Sequence, residues 1–136
     1  VEYLADLGTT LEPDVFHRRA ALAAAYEGII AYERGLVAGL LSGLAELPGV
    51  KVWGITDPQR LDQRVPTVAI THHRLRPREL ATYLGDRGIF VWHGNFYSLP
   101  LTDALGLEPE GLVRIGLLHY NTAEEVQRLL HTLAEL

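Results

Sequence analysis

The chain has 136 residues, 48% of them hydrophobic and 21% charged, with a formal net charge of −5. That is the size and composition of one globular domain with a real core, neither disordered nor fibrous. The acidic balance argues against a phosphate-backbone binder, and the absence of cysteine excludes disulfides, thiolate metal sites and thiol chemistry on these residues.

Val1 falls inside what reads as a helix, VEYLADLG, and the chain holds no methionine. The expectation is therefore the C-terminal piece of a longer polypeptide. No basic n-region of a signal peptide opens it, and a cytoplasmic setting is expected. Residues 1–8 predict a helix end closed by Gly8 at the C′ position. Pro13 then opens a long helical stretch that ends at Pro48–Gly49. Within it Leu22, Ile29, Leu36, Leu40, Leu44 and Leu47 share one stripe, which predicts a core-facing side. Gly35, Gly39 and Gly43 stand at i, i+4 and i+8 and predict a shallow groove for close soluble packing. A membrane-dimer reading is weaker, because the apolar run is about half the roughly 20 residues a span needs.

After that turn, residues 50–54 predict a short strand and 65–72 a second, with Pro66 near its start. RPRELATYLGDRG predicts a helix begun at Pro77 and stopped by Gly88. Residues 89–92 predict a third strand, 93–111 a mostly irregular segment with one helical turn at 101–106, and 112–119 a fourth strand. The last helix has the clearest start: Thr122 and Glu125 form the capping box S/T-x-x-E, followed by Val126, Leu129, Leu130 and Leu133 at core spacing. The order helix–strand–strand–helix–strand–strand–helix predicts a two-layer α+β domain. It would have a short, mostly antiparallel sheet and a long N-terminal linking helix.

Arg114 is the one charge inside the apolar fourth strand, LVRIGLLH. Two readings are open from the strand alone. Its stem covers the core while its head reaches water or an acid, or its guanidinium fork holds a carboxylate bidentately. The six histidines show no HxxxH or HExxH spacing, so no metal site is expected, and adjacent His72 and His73 should point to opposite faces of a strand. HHRLRPR, residues 72–78, is locally basic and reads as a solvated connection. Lys51 is the only lysine, so eleven of the twelve basic residues are arginines. Lys51 is placed at a strand edge as a solvent-facing charge.

The stretches AYERGL, LPGVKVWG, RVPTVAITH, LGDRGIFVWHGNFY and VRIGLLHYNTAEEV, in that order, resemble the C-terminal small domain of class V aminotransferases. These fold-type I pyridoxal-phosphate enzymes include the cysteine desulfurases. The most specific part is R-x-G-x-x-x-Y-N-T-x-E-E-V. The resemblance implies that residues 1–12 close the large cofactor-binding domain and 13–136 form the small domain. It also implies that Arg114 clamps the α-carboxylate of an amino-acid substrate. Pyridoxal phosphate would be bound covalently by a lysine of the large domain, upstream, with no cofactor-binding or catalytic residue here. The large domain of the same polypeptide, and a second copy in a homodimer, would be the partners, and this piece alone would be inactive. Gly116 stands where the family often has serine, Trp92 where the desulfurases have an arginine, and Tyr97 about where they have the sulfur-accepting cysteine. A phenol cannot accept sulfur as a persulfide, so transamination, lyase or epimerase chemistry is expected and persulfide-forming desulfuration is not. Trp92, His93, Asn95 and Tyr97 are candidate substrate contacts, or with Phe96 an aromatic plug against the large domain. The competing assignments are a stand-alone α+β amino-acid-binding regulatory module and an interaction domain built on the glycine groove.

Overall fold

The computed structural model describes all of residues 1–136. Helix α1 is Glu2–Leu11 and α2 is Arg18–Ala45. Strand β1 follows at Val50–Trp53, then a 3-10 turn at Pro58–Gln63 and β2 at Thr67–His72. Helix α3 is Pro77–Gly85, β3 is Trp92–Gly94 and α4 is Leu99–Ala104. Strand β4, Leu112–Gly116, and helix α5, Ala123–Ala134, complete the chain. The four strands form one sheet in the order β1-β2-β4-β3 with every pair antiparallel. The architecture is the two-layer α+β domain that the periodicities predict.

The core lies on one side of the sheet only. Val68 and Ile70 of β2 and Val113 and Ile115 of β4 point into it and are almost wholly buried against α2, α3 and α5. Helix α2 contributes Leu36, Val37, Leu40, Leu41 and Leu44. By length and composition alone α2 would be enough to cross a bilayer, a longer apolar stretch than the sequence reading allows, but this stripe is packed on the sheet. Of the three glycines expected to form the groove, only Gly43 meets a neighbour, the Leu130 side chain, while Gly35 and Gly39 face open space; Gly28, also on α2, lies against Leu11 of α1. No backbone enters the expected groove within this chain.

Several boundaries differ from the sequence expectation for physical reasons. Gly8 does not end α1. It is buried in mid-helix, where a Cβ would lie 1.7 Å from the Ala21 carbonyl oxygen, so its role is close approach to α2. Residues 12–17 turn the chain, and α2 starts at Arg18 instead of Pro13. The third strand is shifted to 92–94. Gly88 adopts φ +71° and the Ile89 N–H donates back to the Leu84 carbonyl at 2.9 Å, closing α3 and drawing 89–91 off the β4 ladder. The second strand begins at Thr67, the fourth ends at Gly116, and the helical turn expected at 101–106 is α4 at 99–104. His72 ends β2, so the rings of His72 and His73 lie 4.8 Å apart instead of facing apart.

The capping box of α5 forms as read. Thr122 Oγ1 accepts from the Glu125 N–H at 3.3 Å, and Glu125 Oε2 accepts from the Thr122 N–H at 2.9 Å. The Asn121 side-chain amide at 3.0 Å and that Thr122 backbone N–H hold the Glu125 carboxyl below its ordinary range. Thr122→Ala should destabilise the fold by about 1 kcal/mol, lowering Tm by roughly 3–5 °C. A carboxyl with a depressed folded pKa stabilises above its ordinary value and loses that contribution as pH falls through the depressed one. Acid titration of unfolding should therefore be shallower in Glu125→Gln than in the parent; identical acid limbs would contradict the assignment.

Candidate functional site

Because successive strand residues alternate faces, burying Val113 and Ile115 in the core sends Arg114 to the opposite face of the sheet, where its side chain is exposed. The register extends this into a row across all four strands. Trp53 pairs with Ala69, Ala69 with Arg114, and Arg114 with Trp92. Both edge positions of the row are tryptophans, and the small Ala69 side chain flanks Arg114 on one side.

The loop after β3 comes back over this row. The Asn95 carbonyl accepts from the Ser98 N–H at 2.8 Å and its side-chain Oδ1 accepts from the Tyr97 N–H at 3.2 Å. That tight turn holds Phe96 at φ 54° and Tyr97 at φ 62°. Consecutive non-glycine residues in this region are uncommon, and such strain persists only where surrounding structure enforces it. The enforcing contacts come from either side. Thr102 is almost wholly buried and donates to the Glu108 carboxylate, which fixes α4 behind the loop. Gly111, at φ +71°, passes so close to β3 that a Cβ there would lie 2.2 Å from the Gly94 carbonyl carbon and 2.8 Å from Asn95 N.

The Phe96 ring lies beneath the arginine, 4.6 Å from Arg114 Cζ to its centroid. The Arg114 side chain is exposed and makes no ion pair or hydrogen bond within the chain, unlike Arg76, which pairs with Glu110 at 3.5 Å, and Arg87, which pairs with Glu135 at 3.6 Å. Of the first reading of this arginine, the branch with an acid of its own domain is absent, and the head reaches water. Arg114 and the whole of Trp92–Tyr97 line one solvent-open depression of about 420 Å³. All five sequence candidates, Arg114, Trp92, His93, Asn95 and Tyr97, are thus brought together. Trp92 is 68% exposed and Tyr97 is fully exposed, so neither ring is packed within this domain. The sequence reading named Phe96 only as part of an aromatic plug; its place under Arg114 has no sequence signal, because it depends on the left-handed turn.

Other concavities carry less chemistry. The widest, about 570 Å³, lies between α2, β1 and the 3-10 turn; it is mostly apolar, and Lys51 is its only charged lining residue. The ammonium of Lys51 sits 3.6 Å from the centroid of the Trp53 ring, and Lys51 does not line the Arg114 depression. At the end of β2, partial burial and the neighbouring His73 and Arg74 lower the pKa of His72. No three His, Asp or Glu side chains converge as a donor set.

The sequence model of the family described as Aminotransferase class-V matches residues 8–129. The chain belongs to that family. Among its class V relatives, an aminotransferase-like protein of Gibberella zeae, FGM3, is 33% identical over 112 residues, covering 77% of this chain and 26% of its own length. A probable cysteine desulfurase of Mycobacterium leprae is 29% identical over 129 residues, covering 92% and 30%. The apo structure of a cysteine desulfurase from Thermococcus onnurineus NA1 aligns with a TM-score of 0.71 at 31% identity, over 85% of this chain and 30% of that one. The chain therefore spans under a third of the length of these relatives. Two of them are named as cysteine desulfurases, which conflicts with the broad expectation that persulfide chemistry is excluded. What the residues support is narrower: no cysteine occurs among the 136, so none of them can hold a persulfide sulfur.

Gly111→Ala should displace the 94–97 turn and destabilise the fold by about 1–3 kcal/mol, the usual range for overpacking. Amide resonances of Asn95–Tyr97 that stay in place in this variant would show that the Gly111 contact does not position the turn.

Proposed function

We propose that this domain supplies the substrate-carboxylate side of a pyridoxal-phosphate-dependent site that acts on an amino acid by transamination, lyase or epimerase chemistry. The observation that carries the reading is the uncommitted guanidinium of Arg114, stacked on Phe96 and facing a depression. A planar two-pronged donor matches a carboxylate bidentately and fixes its plane. Stacking on a ring restricts the guanidinium without consuming any of its N–H donors, which favours binding to a partner supplied from outside. Asn95 and His93 add hydrogen-bonding groups at the rim, and Trp92 and Tyr97 add apolar wall.

The residues present do not by themselves fit the cofactor. The depression contains no lysine, no carboxylate for a pyridine nitrogen and no glycine-rich phosphate cradle, and the one lysine is occupied with Trp53. Pyridoxal phosphate, where bound, supplies an electron sink for charge developing at the amino acid's α-carbon. By the resemblance to fold-type I enzymes, its lysine, its phosphate contacts and the catalytic base belong to a large domain of the same polypeptide, and the whole enzyme is a homodimer. This chain's own contribution is to bind and orient, which accelerates a reaction by proximity without moving a proton. A stand-alone regulatory module fits less well, since effector pockets enclose most of their ligand and this depression is open.

In the full-length enzyme, Arg114→Ala should weaken amino-acid binding about 10- to 100-fold, the loss expected for hydrogen bonds to a charged group, and leave bound cofactor absorbance unchanged. Arg114→Lys should fall between, because it keeps the charge and loses the fork. Unchanged amino-acid affinity in Arg114→Ala would sink the clamp. The isolated 136 residues mixed with pyridoxal phosphate should give no stable absorbance band of bound cofactor; a band that Lys51→Ala abolishes would place the cofactor lysine here.

A further inference from the structure

We propose that the depression selects an amino acid with a large, uncharged and preferentially aromatic side chain. This rests on the carboxylate clamp of Arg114 and goes beyond it to the substrate class.

Once Arg114 holds the α-carboxylate, the rest of the lining is three aromatic rings, Gly94, and the hydrogen-bonding side chains of His93 and Asn95. No Asp or Glu lines the depression. A cationic side chain would meet no counter-charge there and would lie close to the Arg114 guanidinium, an unfavourable like-charge pair. A second carboxylate would find no second arginine or lysine, because the one it could use is already occupied. On the side of the site that this domain supplies, only the His93 imidazole could answer a second carboxylate and nothing answers a cation, so the lining offers no fixed counter-charge to either kind of side chain.

Shape and exposed apolar surface favour a bulky one. Trp92 is the cross-strand partner of Arg114 on the same face, a position that places neighbouring Cβ atoms about 5 Å apart. The side chain of a clamped amino acid therefore lies within reach of the indole. Phe96 presents its ring to the guanidinium, so Trp92 and Tyr97 are the rings left for the ligand, and both are exposed. Covering them releases water from apolar surface, a gain proportional to the area covered and added to by ring stacking. Gly94 has no side chain, and Ala69 on the opposite flank of Arg114 has a short one, so neither fills the space beside the clamp. The depression of about 420 Å³ lies within the roughly 300–1,000 Å³ typical of small-ligand sites. The Asn95 turn fixes the aromatic run in advance of binding, which reduces the ordering that a ligand must impose.

The test uses full-length enzyme with four probes, phenylalanine, alanine, aspartate and lysine, and reads calorimetric affinity alongside kcat/KM. Phenylalanine should exceed each of the others by at least about tenfold, within the range that apolar pocket contacts discriminate. Trp92→Ala should reduce the phenylalanine-to-alanine ratio by about tenfold, and Trp92→Phe should restore most of it. A preference for aspartate or lysine, no measurable phenylalanine binding, or a Trp92→Ala effect equal for all four probes would overturn the proposal. The last result would mean that the indole packs against the rest of the polypeptide. Arg114→Ala separates the two readings. If it weakens all four probes while Trp92→Ala does not discriminate, the clamp stands and the side-chain selection falls; if it weakens none, the clamp itself falls.

Discussion

Val113 and Ile115 press one face of β4 into the core built with α2 and α5, and the same contact sends Arg114 to the opposite face, where it is exposed. Each such aliphatic side chain contributes about 1.5–3 kcal/mol when fully buried, so a one-residue slip of β4 would sacrifice several of them at once. The position of the arginine is therefore as secure as the core itself. Everything on the open face follows from that register. Ala69 and Trp92 become its lateral neighbours, and β3 becomes the edge from which the 95–98 turn departs.

The site combines a weak attraction with a strong constraint. An exposed guanidinium over an aromatic ring gains only about 0.5–1 kcal/mol and engages none of its five N–H donors. Those donors face solvent. The turn that holds Phe96 beneath it is costly, with two adjacent non-glycine residues at positive φ. It is held from behind by the Asn95 hydrogen bonds, by Thr102 on α4 and by the close passage of Gly111. Rigid support for a strained, solvent-facing loop is the arrangement expected where binding needs a fixed geometry.

The chain belongs to the class V aminotransferase family, and the lack of any thiol limits which chemistry these residues can host. The places where sequence reasoning missed are also informative. Gly8 looks like a helix stop because glycine is common there, yet its missing Cβ serves a helix–helix contact. Residues 89–91 look like strand because Ile, Phe and Val favour one, yet the hydrogen bond from Ile89 to Leu84 takes precedence. In both cases a tertiary or cap contact overrode a local preference.

The amino-acid sequence by itself determined the α+β class, the core stripe of α2, the start of α5 at Thr122 and the isolation of Arg114 in an apolar strand. These features depend on periodicity and capping, which are local and leave their mark within a few residues. Only the tertiary structure decided that Arg114 has no acidic partner, that Phe96 lies beneath it, that Ala69 and Trp92 flank it, and that Gly111 holds the turn in place. Those relations join residues 69, 92–97, 111 and 114 through strand register and a left-handed turn. Register between distant strands is fixed by burial of the whole core, and no short stretch of sequence carries it.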